Sequence, residues 1–175
     1  LGQGLTKTAV SVLCDENGDL LLFSDGEGVW NRNFIELTYE WEGSLLGSND
    51  CSQSSLFIPN PDPNSPLCYL FTVDVLNIDL NPPGYFTDGL RYSIINEETG
   101  HVAFPNLKLK SKAAEKLTGV RHGNGVDFWT IAHGFDVSGG DANAFFAYQI
   151  TVNGVDTIPR ISKVGTGHDG LPGDQ

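Results

Sequence analysis

Three stretches of this chain share one plan, and that repetition limits the fold more than any other feature. "VSVLCDENGDLLLFSDG", "SLFIPNPDPNSPLCYLFTVD" and "LTGVRHGNGVDFWTIAHG" each run as an apolar strand, a turn, an apolar-aromatic strand and a small or acidic ending. The apolar runs are short, rich in Val, Ile, Phe, Tyr and Leu, and bounded by Gly, Asn, Asp or Pro, while helical periodicity is scarce. Those are strand signals. One or two further strands follow each stretch, giving three groups at 8–50, 52–111 and 115–165. A four-stranded antiparallel meander cannot bury both of its faces alone, so it needs neighbours stacked against it. The expected fold is therefore all-β and of β-propeller type, about three four-stranded blades.

Propellers close with about four to eight blades. The chain is thus expected to be a slice of a larger ring, completed by other blades or by partner chains. Its two flanks are expected to be apolar, and an uncovered flank is an aggregation hazard. The ending "GTGHDGLPGDQ" reads as an inter-blade loop cut short.

Local signals fill in the strands. Asn17-Gly18 predicts a type I′ hairpin turn, because both residues tolerate positive φ. "KAAEK" predicts a short helical turn over 112–116. Leu107 and Leu109 alternate with Lys108, Lys110 and Lys112, which places leucines on one face and lysines on the other. Lysines so placed protect an edge strand from unwanted pairing. The longest loops, Asn77–Gly89 and Asp136–Asn143, are where a rigid sheet frame would carry recognition.

Composition narrows the function classes. Lys and Arg total 10 against 22 Asp and Glu, a formal charge of -12. Nucleic acid and anionic membranes both call for a basic footprint, so neither is an expected partner. No apolar stretch is long enough for a membrane-spanning helix, and membrane insertion is not expected. Carboxylate-rich loops leave calcium as the one cofactor to consider. Cys14, Cys51 and Cys68 match no zinc spacing. One disulfide with a thiol left over and three reduced thiols both fit the odd count; Cys14 and Cys68, on one rim of the propeller, are the sensible pair.

Candidate sites follow from residue type and spacing. "DENGD" places Asp15, Asn17 and Asp19 at alternate positions, as at the start of an EF-hand loop. Leu20 stands where that loop wants Gly, and Gly26 stands at its twelfth position, so a hairpin turn is the better reading, with a weak calcium site beside it. "RHGNGVDFW" sets His122, Asn124 and Asp127 around a tight turn. A proton relay is one use of such a pair; a hydrogen-bonded strand junction is the favoured one. "SDG" (Ser24–Gly26) lacks the G-x-S-x-G elbow and a nearby His, so Asp25 belongs to a structural turn and Trp30 to packing between blades. Trp41, Tyr85, Phe86, Asp136 and Asp141 are the expected ligand-binding loop residues.

"LCDENGDLLLFSDGEGVWNRN", "SQSSLFIPNPDPNSPLCYLFTVD", "LRYSIIN" and "EKLTGVRHGNGVDFWTIAHG…AFFAYQIT" together resemble a known family. It is the amino-terminal propeller region of large secreted Bacteroidota proteins, which often end in a gliding-motility-associated, type IX secretion sorting domain. The resemblance runs in order from about Thr8 to Gly170. It implies export across both membranes, a secreted or cell-surface location, and a propeller used for binding or display. It carries over no catalytic residue. It also gives meaning to "DTI" (Asp156–Ile158), which fits the short motif such bacteria use for O-glycosylation, with Thr157 as acceptor.

The expected function is a non-catalytic surface module for adhesion, ligand binding or scaffolding, with a glycan or surface protein as partner. One alternative is a structural subunit of an extracellular multi-chain assembly. The other is a propeller-type carbohydrate-active enzyme, which needs paired carboxylates converging at the ring's channel.

Overall fold

The computed structural model describes residues 10–39, 43–75, 77–80, 83–135 and 140–167; the side chains of residues 39, 77–80 and 83–86 lie outside that description. Among the described residues every regular element is a strand, so no helix there could cross a membrane. The first sheet is β1 (Ser11–Cys14), β2 (Leu20–Ser24) and β3 (Val29–Asn31), paired in chain order. A two-residue strand, β4 (Thr38–Tyr39), leaves this group and pairs parallel with a strand of the second sheet.

The second sheet contains β5 (Ser55–Pro59), β6 (Leu67–Val73), β9 (Leu90–Asn96) and β10 (His101–Lys110). Its order is β4-β10-β9-β6-β5. Between β6 and β9 the chain makes a separate hairpin, β7 (Asn77–Leu80) and β8 (Pro83–Phe86), where a loop was expected. The third sheet runs β11 (Ala113–Arg121), β12 (Phe128–Gly134), β13 (Ala144–Thr151) and β14 (Gly154–Val155), with β15 (Arg160–Lys163) also on β13. The three groups read from the sequence thus become three sheets. Their strand numbers are three, five and five rather than four each.

The sheets stack face to face, and β6 shows why every one of its residues but Thr72 is apolar. Cys68 and Leu70 of β6, with Phe57 and Ile95, pack against Leu13, Leu22, Val29, Leu37 and Leu45 of the first group. On the opposite face Tyr69, Phe71 and Val73 join Leu90 and Tyr92 against Leu117, Ala132, Phe146, Tyr148 and Ile150 of the third. A strand buried on both faces has no position left for polar alternation. Each large side chain so buried contributes roughly 1.5–3 kcal/mol.

The stacking runs in one sense. The first strands lie side by side, β1 against β5 and β5 against β11. Cross-strand pairs mark the two faces of every sheet: Leu13 opposite Leu22, Ile58 opposite Tyr69, and Val120 opposite Trp129 lie on the forward face. Val12 opposite Phe23, Phe57 opposite Leu70, and Gly119 opposite Thr130 lie on the backward face. Leu13 and Leu22 share a core with Phe57 and Leu70. Gly119 brings its backbone against Ile58; a Cβ there would sit 2.7 Å from the Ile58 Cδ1, which is why the close approach takes glycine. Forward therefore meets backward at both junctions.

Three local expectations are corrected. The turn after β1 is not type I′: Gly18 has φ 87, but Asn17 is not in the left-handed region. The register shifts between Leu13 and Cys14, and the wider turn is closed by Asp15, whose Oδ1 accepts from the Asn17 and Asp19 amides at 2.9 Å each. No helical turn forms at 112–116, because pairing to β12 draws the chain into β11 from Ala113 onward. Lys110 does not join Lys108 on the exposed face. A register shift between Lys108 and Lys110 turns it inward, where its Nζ lies 2.8 Å from Asp141 Oδ2 and 3.9 Å from the centre of the Phe146 ring.

Candidate functional site

The β11–β12 turn holds the best-connected polar group among the sequence candidates. Asn124 Oδ1 accepts from the Val126 and Asp127 amides at 3.0 Å each, and its Nδ2 donates to Asp127 Oδ2 at 2.9 Å. His122 Nδ1 accepts from the Asn124 amide at 3.0 Å, and Gln149 Nε2 donates to the same Asp127 oxygen at 3.1 Å. Asp127 Oδ2 is thus bonded to amides, and the His122 nitrogen nearest the turn accepts a backbone proton. Both groups are committed to closing the turn and tying it to β13. The His122 ring also tilts against Trp129, 5.6 Å between centres.

The opening "DENGD" group has the same character. Asp15 Oδ1 is taken up by two backbone amides, while Asn17 and Asp19 are exposed beside it. Among the described residues no cluster of three or more His, Cys, Asp or Glu side chains could hold a metal ion.

The Ser24–Gly28 bend is a junction between the first and second sheets. Ser24 Oγ donates to the Gly28 carbonyl, and Asp25 Oδ1 accepts from the Glu27 and Gly28 amides at 3.0 Å each. Ser55 Oγ donates to the Ser24 carbonyl at 3.1 Å and lies 2.7 Å from Ser11 Oγ. Asp25 is almost fully buried with both amides as partners, the environment of a structural carboxylate. Among the described residues no second sheet lies against Trp30. It stacks on Phe23, 5.4 Å between centres, on the backward face of the first sheet, because its cross-strand partner Phe23 points that way.

The remaining candidates scatter. Trp41 and Asp136 fall outside the described residues, and Tyr85 and Phe86 lie on β8 with side chains outside the description. Asp141 is held by Lys110, so it latches the third sheet to the second. Thr157 is exposed in a turn where the Ile158 amide donates to Asp156 Oδ1.

The Cys14–Cys68 disulfide is absent, and all three cysteines are thiols. Cys14 is exposed at the end of β1, whereas Cys68 sits inside the core between the sheets. Burial pushes the Cys68 thiol well above its ordinary range, with the Glu97 charge adding to the effect. Burial likewise pushes the Cys51 thiol up, with Glu115, Asp74 and Asp50 adding to it. Neither is poised as a nucleophile.

What no single motif pointed to is a pair of faces that no described residue covers. On the first sheet, Val12 is 57% exposed and Val10 47%, and both flank the Phe23–Trp30 stack. Phe34, 64% exposed, adds its ring edge-on to Phe23. Phe34 adopts φ 61, a costly conformation for a bulky side chain. Asn31 holds it there, with Oδ1 accepting from the Asn33 and Ile35 amides. On the third sheet, Val120 is 51% exposed and Phe145 38%, beside the half-buried Trp129 and Ile131. No protein-family model, curated protein or solved structure matches this chain.

Proposed function

We propose that the chain is a wedge of a β-propeller and works as a non-catalytic module at the cell surface or in the medium, for adhesion, ligand binding or scaffolding. One observation carries this reading: three sheets stack in a single sense with β1, β5 and β11 adjacent, as inner strands do around a propeller axis. Its turns support a frame rather than a reactive centre, since His122, Asp127, Asp25 and Asp15 all spend their side chains on backbone or amide partners. Export by the type IX route rests on the resemblance of the "GDLLLFSDGEGVWNRN" and "KLTGVRHGNGVDFW" segments to Bacteroidota propeller regions. The exposed Asp156–Ile158 turn is a geometry in which Thr157 can receive a glycan.

The test is protease treatment of intact producing cells, followed by mass spectrometry of the released peptides. The proposal expects peptides of this chain in the released fraction or the medium, with hexose-sized additions on the peptide containing Thr157. Retention of the whole chain inside protected cells contradicts the surface role, and an unmodified Thr157 peptide removes the glycan. A second reading, a structural subunit of an extracellular assembly, is favoured by the two uncovered apolar faces.

A further inference from the structure

The two uncovered faces are not alike, and the stacking rule says how they relate. At both internal junctions a forward face receives a backward face: Leu13 and Leu22 against Phe57 and Leu70, then Ile58 against Gly119. The forward face left over is Val120 and Trp129, with Thr118, Ile131, Ala147 and Phe145 around them. The backward face left over is Val12, Phe23 and Trp30, rimmed by Val10 and Phe34. The same rule that built the two junctions would seat the second of these faces on the first. Within one chain it cannot, because the faces lie at opposite ends of the stack.

From this we infer that a second copy of the chain covers them, the backward face of one copy seated on the forward face of the other. The inference rests on the wedge reading above and names the partner of its apolar faces. Charge supports this pairing over a face meeting its own kind. Glu36 bridges Trp30 and so shares the backward face, at the outer edge of the first sheet. Arg160 lies opposite Ala147 and so shares the forward face, at the outer edge of the third. Both are exposed, and stacking head to tail brings the carboxylate and the guanidinium to the same end of the junction. Forward on forward would oppose Arg160 to itself, and backward on backward Glu36 to itself.

The wider balance leans the same way. From Val10 to Tyr39 the only basic residue is Arg32, against Asp15, Glu16, Asp19, Asp25, Glu27 and Glu36. From Ala113 to Lys163 the bases Lys116, Arg121, Arg160 and Lys163 nearly balance the acids Glu115, Asp127, Asp136, Asp141 and Asp156, so an acidic region would meet a nearly neutral one. Two copies of three sheets make a ring of six, inside the range of about four to eight at which propellers close. Closure by rotation uses both faces of both copies and leaves none bare.

The experiment is sedimentation of the full chain and of two surface variants, Val12→Lys and Val120→Lys. Both positions are half exposed, so neither lysine enters a core, and circular dichroism checks the fold. The wild type is expected at twice the chain mass. Each variant alone, with one face blocked, should lose association by at least about 100-fold. Mixed, the two variants should restore one junction: the intact forward face of Val12→Lys meets the intact backward face of Val120→Lys, giving a 1:1 pair. A folded wild type that stays monomeric overturns the inference and leaves the faces to sheets from a longer chain, with the wedge reading intact. So does a mixture that fails to pair, or a variant that still self-associates. An experimental structure in which the first and third sheets pack on each other within one chain overturns the wedge reading itself.

Discussion

Strands β6 and β13 carry similar sequences and opposite fates. "LCYLFTV" and "AFFAYQIT" are both apolar and aromatic with little alternation. Every residue of β6 after Leu67 is buried, whereas β13 alternates, with Phe145 left 38% exposed beside the buried Ala144 and Phe146. Among the described residues the middle sheet has a neighbour on each face, and the third has one on its backward face only. An apolar sequence on such a face is what the proposed second copy would cover, because a face exposed to water usually reads polar at alternate positions. The first sheet makes the same statement in mirror image through Val12, Phe23 and Trp30.

The sharpest way to break this comparison is to truncate one phenylalanine on each strand. Phe71→Ala in the middle sheet is expected to cost about 3–5 kcal/mol in urea unfolding, the range for a fully buried ring. Phe145→Ala, measured where the chain is dilute, should cost less, about 1 kcal/mol, since its ring is 38% exposed and meets His133 edge-on. Equal losses would mean the two faces are equally covered. Thiol labelling gives the next largest effect. In the folded protein Cys14 should react at the rate of an exposed thiol, and Cys68 should react at least about 100-fold slower, because labelling it requires the sheets to open. Fast labelling of both would show that the first junction is open in solution.

A smaller effect tests how that junction is fastened. Asn106 takes φ 56 in a bulge of β10, and its side chain grips the loop that returns from the first sheet. Oδ1 accepts from the Leu46 amide at 2.9 Å, and Nδ2 donates to the Ser44 carbonyl at 3.1 Å. Asn106→Ala should cost about 1–2 kcal/mol by denaturation, and an unchanged midpoint would remove the latch.

The smallest effect is a pH slope in the middle sheet. Burial raises the Glu97 carboxyl above its ordinary 4.5, with the Cys68 hydrogen bond acting in the opposite sense. A carboxyl raised in the folded state contributes fully below its unfolded value and loses that contribution as pH rises through the folded one. Wild type is therefore expected to lose stability relative to Glu97→Gln from pH 4.5 upward, followed by thermal unfolding at several pH values. Parallel profiles would mean that Glu97 is solvated.

Much of the fold was legible because its signals were local. The three repeated strand-turn-strand texts pair as β1–β2, β5–β6 and β11–β12, one in each of the larger sheets. What misled was tertiary or one-residue geometry. A bulge beside Lys110 reversed its face, and the pairing of β11 with β12 overrode the helix-favouring "KAAEK". The polar turns were found at His122, Asn124, Asp127 and Asp25, where short-range side-chain to backbone bonds follow from spacing. The pairing of Glu36 with one end face and Arg160 with the other could not be read from the linear text, since each depends on cross-strand register.

The account stands on sheets that lean on one another in one direction through their first strands. The most direct measurement is a nuclear Overhauser contact between the Ile58 Cδ1 methyl and the Gly119 α-protons, placed together by the crossing of β5 and β11. A strong cross-peak is predicted in the dilute, folded chain. Its absence from a well-folded sample would contradict the stacking, and with it both the wedge and the ring.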